Sequence, residues 1–149
     1  MTGRRRALGA GAAAAAALFL GTAGRALATV EELEAAIEAF GGGTAPDGDG
    51  LTLSIPEVAE NGHSVPVSIA VESPMTERDH VRAIVLLAPG NPNVEVAAFG
   101  FTPMSGEARV TTRMRLARTQ EVVALARLAD GRLLRASTEV RVVIGGCGA

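Results

Sequence analysis

The sequence predicts an all-β protein: an immunoglobulin-like antiparallel β-sandwich with a short N-terminal helix and a flexible C-terminal arm. Three observations predict it. Apolar and polar residues alternate in several separate stretches, the period of a strand with one buried and one wet face. Clusters of Gly, Pro, Asn and Asp divide those stretches. About seven short strands fit between residues 51 and 144, with no long helix among them.

The elements follow in chain order. Residues 1–28 read as a secretory leader. Arg4, Arg5 and Arg6 open it, an apolar run extends from Ala7 to Leu20, and Ala26-Leu27-Ala28 forms a small-x-small cleavage site. That run is short for a membrane span. Arg4-Arg5-Arg6-Ala7-Leu8 fits a twin-arginine pattern with Ala7 where a bulkier residue is usual; an ordinary Sec signal stays open. Cleavage after Ala28 is expected to give an exported mature chain with no membrane attachment.

Residues 29–50 predict a helix and a Gly-rich linker. Thr29 and Glu32 make a capping box, Val30, Leu33, Ile37 and Phe40 recur at helical spacing, and Gly41 supplies the stop. Its apolar stripe suits a partner or its own domain. Residues 41–50 (GGGTAPDGDG) have a loop composition; Asp47 and Asp49 lack the other ligands of a calcium loop.

From residue 51 to residue 144 the pattern is β. Val65, Val67, Ile69 and Val71 share one face. Val110, Thr112, Met114 and Leu116 stand opposite Arg109, Thr111, Arg113 and Arg115, and Val140, Val142 and Ile144 stand opposite Glu139 and Arg141. Residues 81–88 and 94–101 are more continuously apolar and suit strands covered on both sides. Asp130-Gly131 is the favoured dipeptide of a type I′ hairpin.

Composition narrows the function classes. The leader carries Arg4, Arg5, Arg6 and Arg25 and no acid, so 10 of the 14 basic residues remain against all 16 acidic ones, a net charge of −6. Such a chain makes a poor partner for nucleic acid or an anionic membrane. The mature part has three Phe and no Trp or Tyr, little material for stacking on bases. His63 and His80 lie in polar turns, and with one cysteine they match no metal-ligand spacing. No phosphate loop or nucleophile elbow is present. These residues form no constellation that resembles an enzyme active site, and no metal or cofactor is expected.

Cys147 is the only cysteine, the third residue from the end and flanked by glycines. An unpaired cysteine in an exported protein suggests an intermolecular disulfide or a thiol kept for chemistry. Residues 145–149 predict a slender arm: Gly145, Gly146 and Gly148 give it free rotation, and with Ala149 they add almost no width around the sulfur. Extended at about 3.3–3.6 Å per residue, five residues reach about 17 Å. No cation lies nearby in sequence, and the terminal carboxylate disfavours the thiolate, so activation falls to whatever receives the tail.

On these features the chain resembles the SoxY family, the sulfur-carrier subunits of the periplasmic thiosulfate-oxidising (Sox) system. The resemblance runs from IPEVAENGHSVPVSIAVESPM (55–75) to the ending VRVVIGGCGA, where Ala149 stands in place of the family's usual last glycine. It implies that Cys147 carries pathway intermediates covalently, with Gly145, Gly146 and Gly148 as the arm. It implies a heterodimer with a SoxZ-like β-sandwich subunit. It implies service to a SoxXA-like haem protein, a SoxB-like manganese hydrolase and a SoxCD-like sulfane dehydrogenase. The rival expectations are a thiol-dependent sulfurtransferase acting alone, and an exported immunoglobulin-like binding module whose single cysteine forms intermolecular disulfides.

Overall fold

A computed structural model describes residues 30–146. The leader, the Thr29 cap, Cys147, Gly148 and Ala149 lie outside the described residues. The chain begins with helix α1 (Val30–Gly41) and a two-residue strand β1 (Pro46–Asp47). Strands β2 (Leu51–Ser54), β3 (Val58–Asn61), β4 (Val65–Val71) and β5 (Val81–Leu87) follow. Then come β6 (Glu95–Gly100), a 3-10 turn (Pro103–Ser105), β7 (Ala108–Met114), β8 (Gln120–Leu128) and β9 (Leu133–Ile144).

Two sheets pack face to face. The larger has the order β1-β9-β8-β5-β6, with β3 also on β9; the smaller has the order β2-β4-β7. The alternation anticipated for β4 and β7 sets their faces. Val65, Val67 and Ile69 point into the sandwich with Met114, and meet Ile84, Leu86, Val122 and Ala124 from the larger sheet. The fold is a β-sandwich, as the sequence predicts. It is not purely antiparallel, because β1 and β3 both join β9 in parallel.

Helix α1 forms a third layer. Leu33 and Ile37 bury against Val85, Leu87, Val123, Leu125 and Leu133, on the face of the larger sheet away from the sandwich. Strands β5 and β8 are thus covered on both sides, which their unbroken apolar runs require. The Arg127 guanidinium donates to the Phe40 carbonyl at 3.2 Å and sits 5.4 Å from the centre of the Phe40 ring, clamping the end of the helix. Val30, expected on the apolar stripe, is 74% exposed. The docked stripe starts at Leu33.

Other expectations change in detail. Residues 94–101 do not form a doubly covered strand: β6 is a sheet edge and is only partly buried. Its Ala97, Ala98 and Gly100 are apolar in composition yet too small to indicate how many layers cover them. Residues 41–50 hold strand β1, paired to β9 at Pro46↔Leu133 and Asp47↔Leu134. Ile144, expected on the buried face, is 62% exposed because the sandwich ends before it.

The hairpin at Asp130-Gly131 is not type I′, since Gly131 has φ 90° while Asp130 does not have positive φ. Gly131 N–H donates to the Leu128 carbonyl at 3.1 Å, and Leu128 N–H to the Arg132 carbonyl at 2.9 Å. This is a type I turn closed by a glycine bulge, the three-residue alternative for the same dipeptide. Asp130 accepts from Arg132 N–H at 3.0 Å and from its guanidinium at 2.7 Å. Those hydrogen bonds hold its carboxyl below the usual carboxylate range and the guanidinium above its own.

Ile37 is 6% exposed beneath the helix. Ile37→Ala is expected to destabilise the fold by about 2–5 kcal/mol through lost apolar contact and a residual cavity. Urea unfolding of the purified chain measures it.

Candidate functional site at the root of the C-terminal tail

Strand β9 delivers the tail. Its residues Leu133–Val140 pair with β8, which begins at Gln120 opposite Val140. Beyond that point β9 has outrun its neighbour, and its backbone groups need new partners. Strand β3 supplies some, through Val58↔Arg141, Ala59↔Val142 and Asn61↔Ile144. On the other side, Val142 N–H donates to Thr119 Oγ1 at 2.9 Å. Arg141 N–H donates to the Glu57 carbonyl at 2.8 Å.

Three chain segments then close a ring of backbone hydrogen bonds. Gly62 N–H donates to the Ile144 carbonyl at 2.7 Å, and Leu116 N–H donates to the Gly62 carbonyl at 2.8 Å. Gly146 N–H donates to the Leu116 carbonyl at 2.9 Å. The expected arm therefore does not start at Gly145. Gly146 is buried and Gly145 half-buried, both seated against the 116–117 backbone.

The reason these positions are glycine also differs from the expectation of free rotation. Neither Gly145, Gly146 nor Gly62 has a positive φ. Close approach explains them instead. A Cβ on Gly145 would collide with the Ala117 carbonyl, and one on Gly62 with the Leu116 carbonyl. A Cβ on Gly146 would lie 2.9 Å from the Gly62 carbonyl oxygen. Backbones pack here as only glycine permits.

The receiving loop, residues 115–119, is itself pinned by two buried polar side chains. Asn91 Nδ2 donates to the Arg115 carbonyl at 2.8 Å, and Asn91 Oδ1 accepts from Ala117 N–H at 2.9 Å. Gln120 Nε2 donates to Asn91 Oδ1 at 3.0 Å and to the Arg118 carbonyl at 3.1 Å, while its Oε1 accepts from Gly90 N–H at 2.7 Å. Asn91 and Gln120 are 6% and 8% exposed. Among the described residues no buried side-chain polar atom lacks a partner. Sequence reasoning missed Asn91, Gln120 and Gly62 as supports of the tail. Asn91 lies in an evident turn, and Gly62 follows Asn61 in another, but nothing in their spacing reports that the two turns meet the chain's end.

Elsewhere the chemistry is sparse. His63 is exposed, and its backbone N–H donates to Asn61 Oδ1 at 2.9 Å. His80 Nδ1 lies 3.0 Å from the Thr76 carbonyl. Among the described residues no three His, Cys, Asp or Glu side chains gather as a metal site, and no helix is long and apolar enough to cross a membrane. The arginine face of β7 is exposed: Arg109 pairs with Glu107 at 3.2 Å, and Arg113 donates to Ser64 Oγ at 3.2 Å. A groove of about 400 Å³ beside Ser54, Ile55, Pro66 and Thr111 contains no titratable side chain.

A family model described as sulfur oxidation protein SoxY matches residues 36–147. The solved sulfur carrier protein SoxY from Chlorobium limicola is 33% identical with a TM-score of 0.63, covering 78% of this chain and 100% of that one. The chain belongs to the SoxY family. A superoxide reductase (neelaredoxin) from Ignicoccus hospitalis is 22% identical with a TM-score of 0.56, covering 62% of this chain and 79% of that one. It shares the fold alone. A comparison with curated proteins yields no match. The SoxY match extends past the seated glycines to Cys147, so the tail root and the cysteine fall within the family segment.

Gly62→Ala tests the junction. Overpacking against the Leu116 carbonyl is expected to destabilise the chain by about 1–3 kcal/mol. A lowered thermal midpoint, accompanied by faster amide exchange at Gly146, is the expected observation.

Proposed function

We propose that this chain is the sulfur carrier of a thiosulfate-oxidising system, holding intermediates on Sγ of Cys147 and catalysing no step itself. One observation carries the reading. The chain's single thiol follows directly on the seated pair Gly145–Gly146, inside the segment that matches the SoxY family. The solved relative from Chlorobium limicola, described as a sulfur carrier protein, supports it.

The chemistry needs nothing from this chain but a thiol and access. Thiosulfate and the Cys147 thiol join in an S–S bond, releasing one proton and two electrons to a haem-protein partner. Water then cleaves the S–SO3 bond on a hydrolase partner: sulfate and a proton leave, and a persulfide stays on Cys147. A third partner oxidises that sulfane sulfur. Covalent attachment makes each later step effectively intramolecular, since the intermediate does not diffuse away between partners. A net charge of −6 after leader removal would give little hold on a free anion, which favours a bond over a binding pocket.

The same reading places the mature protein in the periplasm after cleavage at Ala28, paired with a SoxZ-like subunit. It assigns no metal or cofactor to the chain. Intact-mass analysis of protein isolated from thiosulfate-grown cells is expected to show a mature chain lacking residues 1–28. It should carry sulfane or thiosulfonate adducts that reductant removes. Cys147→Ser is expected to lose every adduct and all thiosulfate-dependent electron flow. Continued thiosulfate oxidation by Cys147→Ser would sink the proposal, and a disulfide-linked dimer without adducts would favour a binding module.

A further inference from the structure

We propose that the carrier arm pivots at Gly146 rather than at the end of β9, and that Asn91 and Gln120 are its positioning residues. The proposal deepens the carrier reading and rests on it for its functional meaning. Its physical content is carried by Gly145, Gly146, the 115–119 loop and the two side chains that hold that loop.

Gly146 is buried, and its N–H donates to the Leu116 carbonyl. Gly145 lies against the Ala117 carbonyl at a separation that leaves no room for a side chain. A segment whose glycines served only rotational freedom would have no need to pack so closely. The slot keeps its shape because Asn91 grips the loop on both sides of Leu116, at the Arg115 carbonyl and at Ala117 N–H. Gln120 holds Asn91 and the Arg118 carbonyl in turn. The two side chains act on the arm through the loop.

Seating sets the reach of the sulfur. From a pivot at Gly146 the Cα of residue 147 is one peptide step away, about 3.8 Å. From a free end at Ile144 it would be three steps away, about 10–11 Å. The seat therefore moves the arm's point of departure from the end of β9 to the 115–119 loop. That loop becomes part of the surface each enzyme partner must meet. A partner with a deeper pocket has to lift Gly145 and Gly146 from the slot, breaking the Gly146–Leu116 hydrogen bond.

Because Cys147 is the only thiol, a nitroxide attached to it reports the arm in the full mature chain. The expected spectrum has a motionally restricted component. Gly145→Ala, which cannot enter the slot, is expected to convert it to a fast tail and to speed Gly146 amide exchange by roughly tenfold. Gln120→Leu is expected to do the same by loosening the loop, and to add nothing in combination with Gly145→Ala. Ile37→Ala, destabilised under the helix instead, is expected to leave the label unchanged, which separates positioning from general stability. If Gln120→Leu fails to fold, Gly145→Ala and the exchange rate still decide. A native label as mobile as in Gly145→Ala, or an unprotected Gly146 amide, overturns the proposal. Neither readout uses sulfur chemistry, so failure of the seat and failure of the carrier reading are separately visible.

Discussion

Strand β9 is twelve residues long, and β8 pairs with only its first eight. The last four residues need other partners for backbone groups that would otherwise be left unpaired. Most of what distinguishes this sandwich follows from how those groups are satisfied. The parallel strand β3, the Thr119 hydroxyl and the Gly62 turn each take a share. They bring three segments that are distant in sequence to one point. That point is where the chain leaves the fold.

The same economy shapes the middle of the larger sheet. Strands β5 and β8 carry apolar residues on both faces, and one face would be exposed if the smaller sheet were their only cover. Helix α1 covers the other with Leu33 and Ile37. Burial of those side chains, at about 25 cal/mol per Å² of apolar surface, supports a three-turn helix that would be marginal alone. The helix covers the outer face near Leu133, while the opposite end of β9 remains open around Val143 and Ile144.

Much of this architecture was legible from periodicity. Val65, Val67 and Ile69 alternate because one face of β4 is wet, and the same holds for β7. The continuous run at residues 81–88 reported double coverage correctly, whereas the run at 94–101 did not. Hydrophobic content records affinity for an interior, but small residues such as Ala97 and Ala98 sit equally well at an edge. The dipeptide Asp130-Gly131 located its hairpin and missed its turn type, which depends on whether one residue or two adopt positive φ. At the tail, the sequence exposed the lone cysteine at once. It hid the seat, because the absence of a side chain at Gly145 looks the same whether it serves rotation or contact. Asn91 and Gln120 were hidden for a related reason: a polar residue in a turn is ordinary until its neighbours close over it.

The seated pair also distinguishes two ways of lengthening the chain's end. Residues inserted between Gly146 and Cys147 leave both glycines in register with Leu116 and Ala117, and extend only what lies beyond. Residues inserted between Ile144 and Gly145 slide side chains into a gap sized for bare backbone. Added length between Ile144 and Gly145 is therefore expected to cost the seat, and added length beyond Gly146 to spare it. A designer's spacer that is meant to keep the seat belongs after Gly146 and not before Gly145.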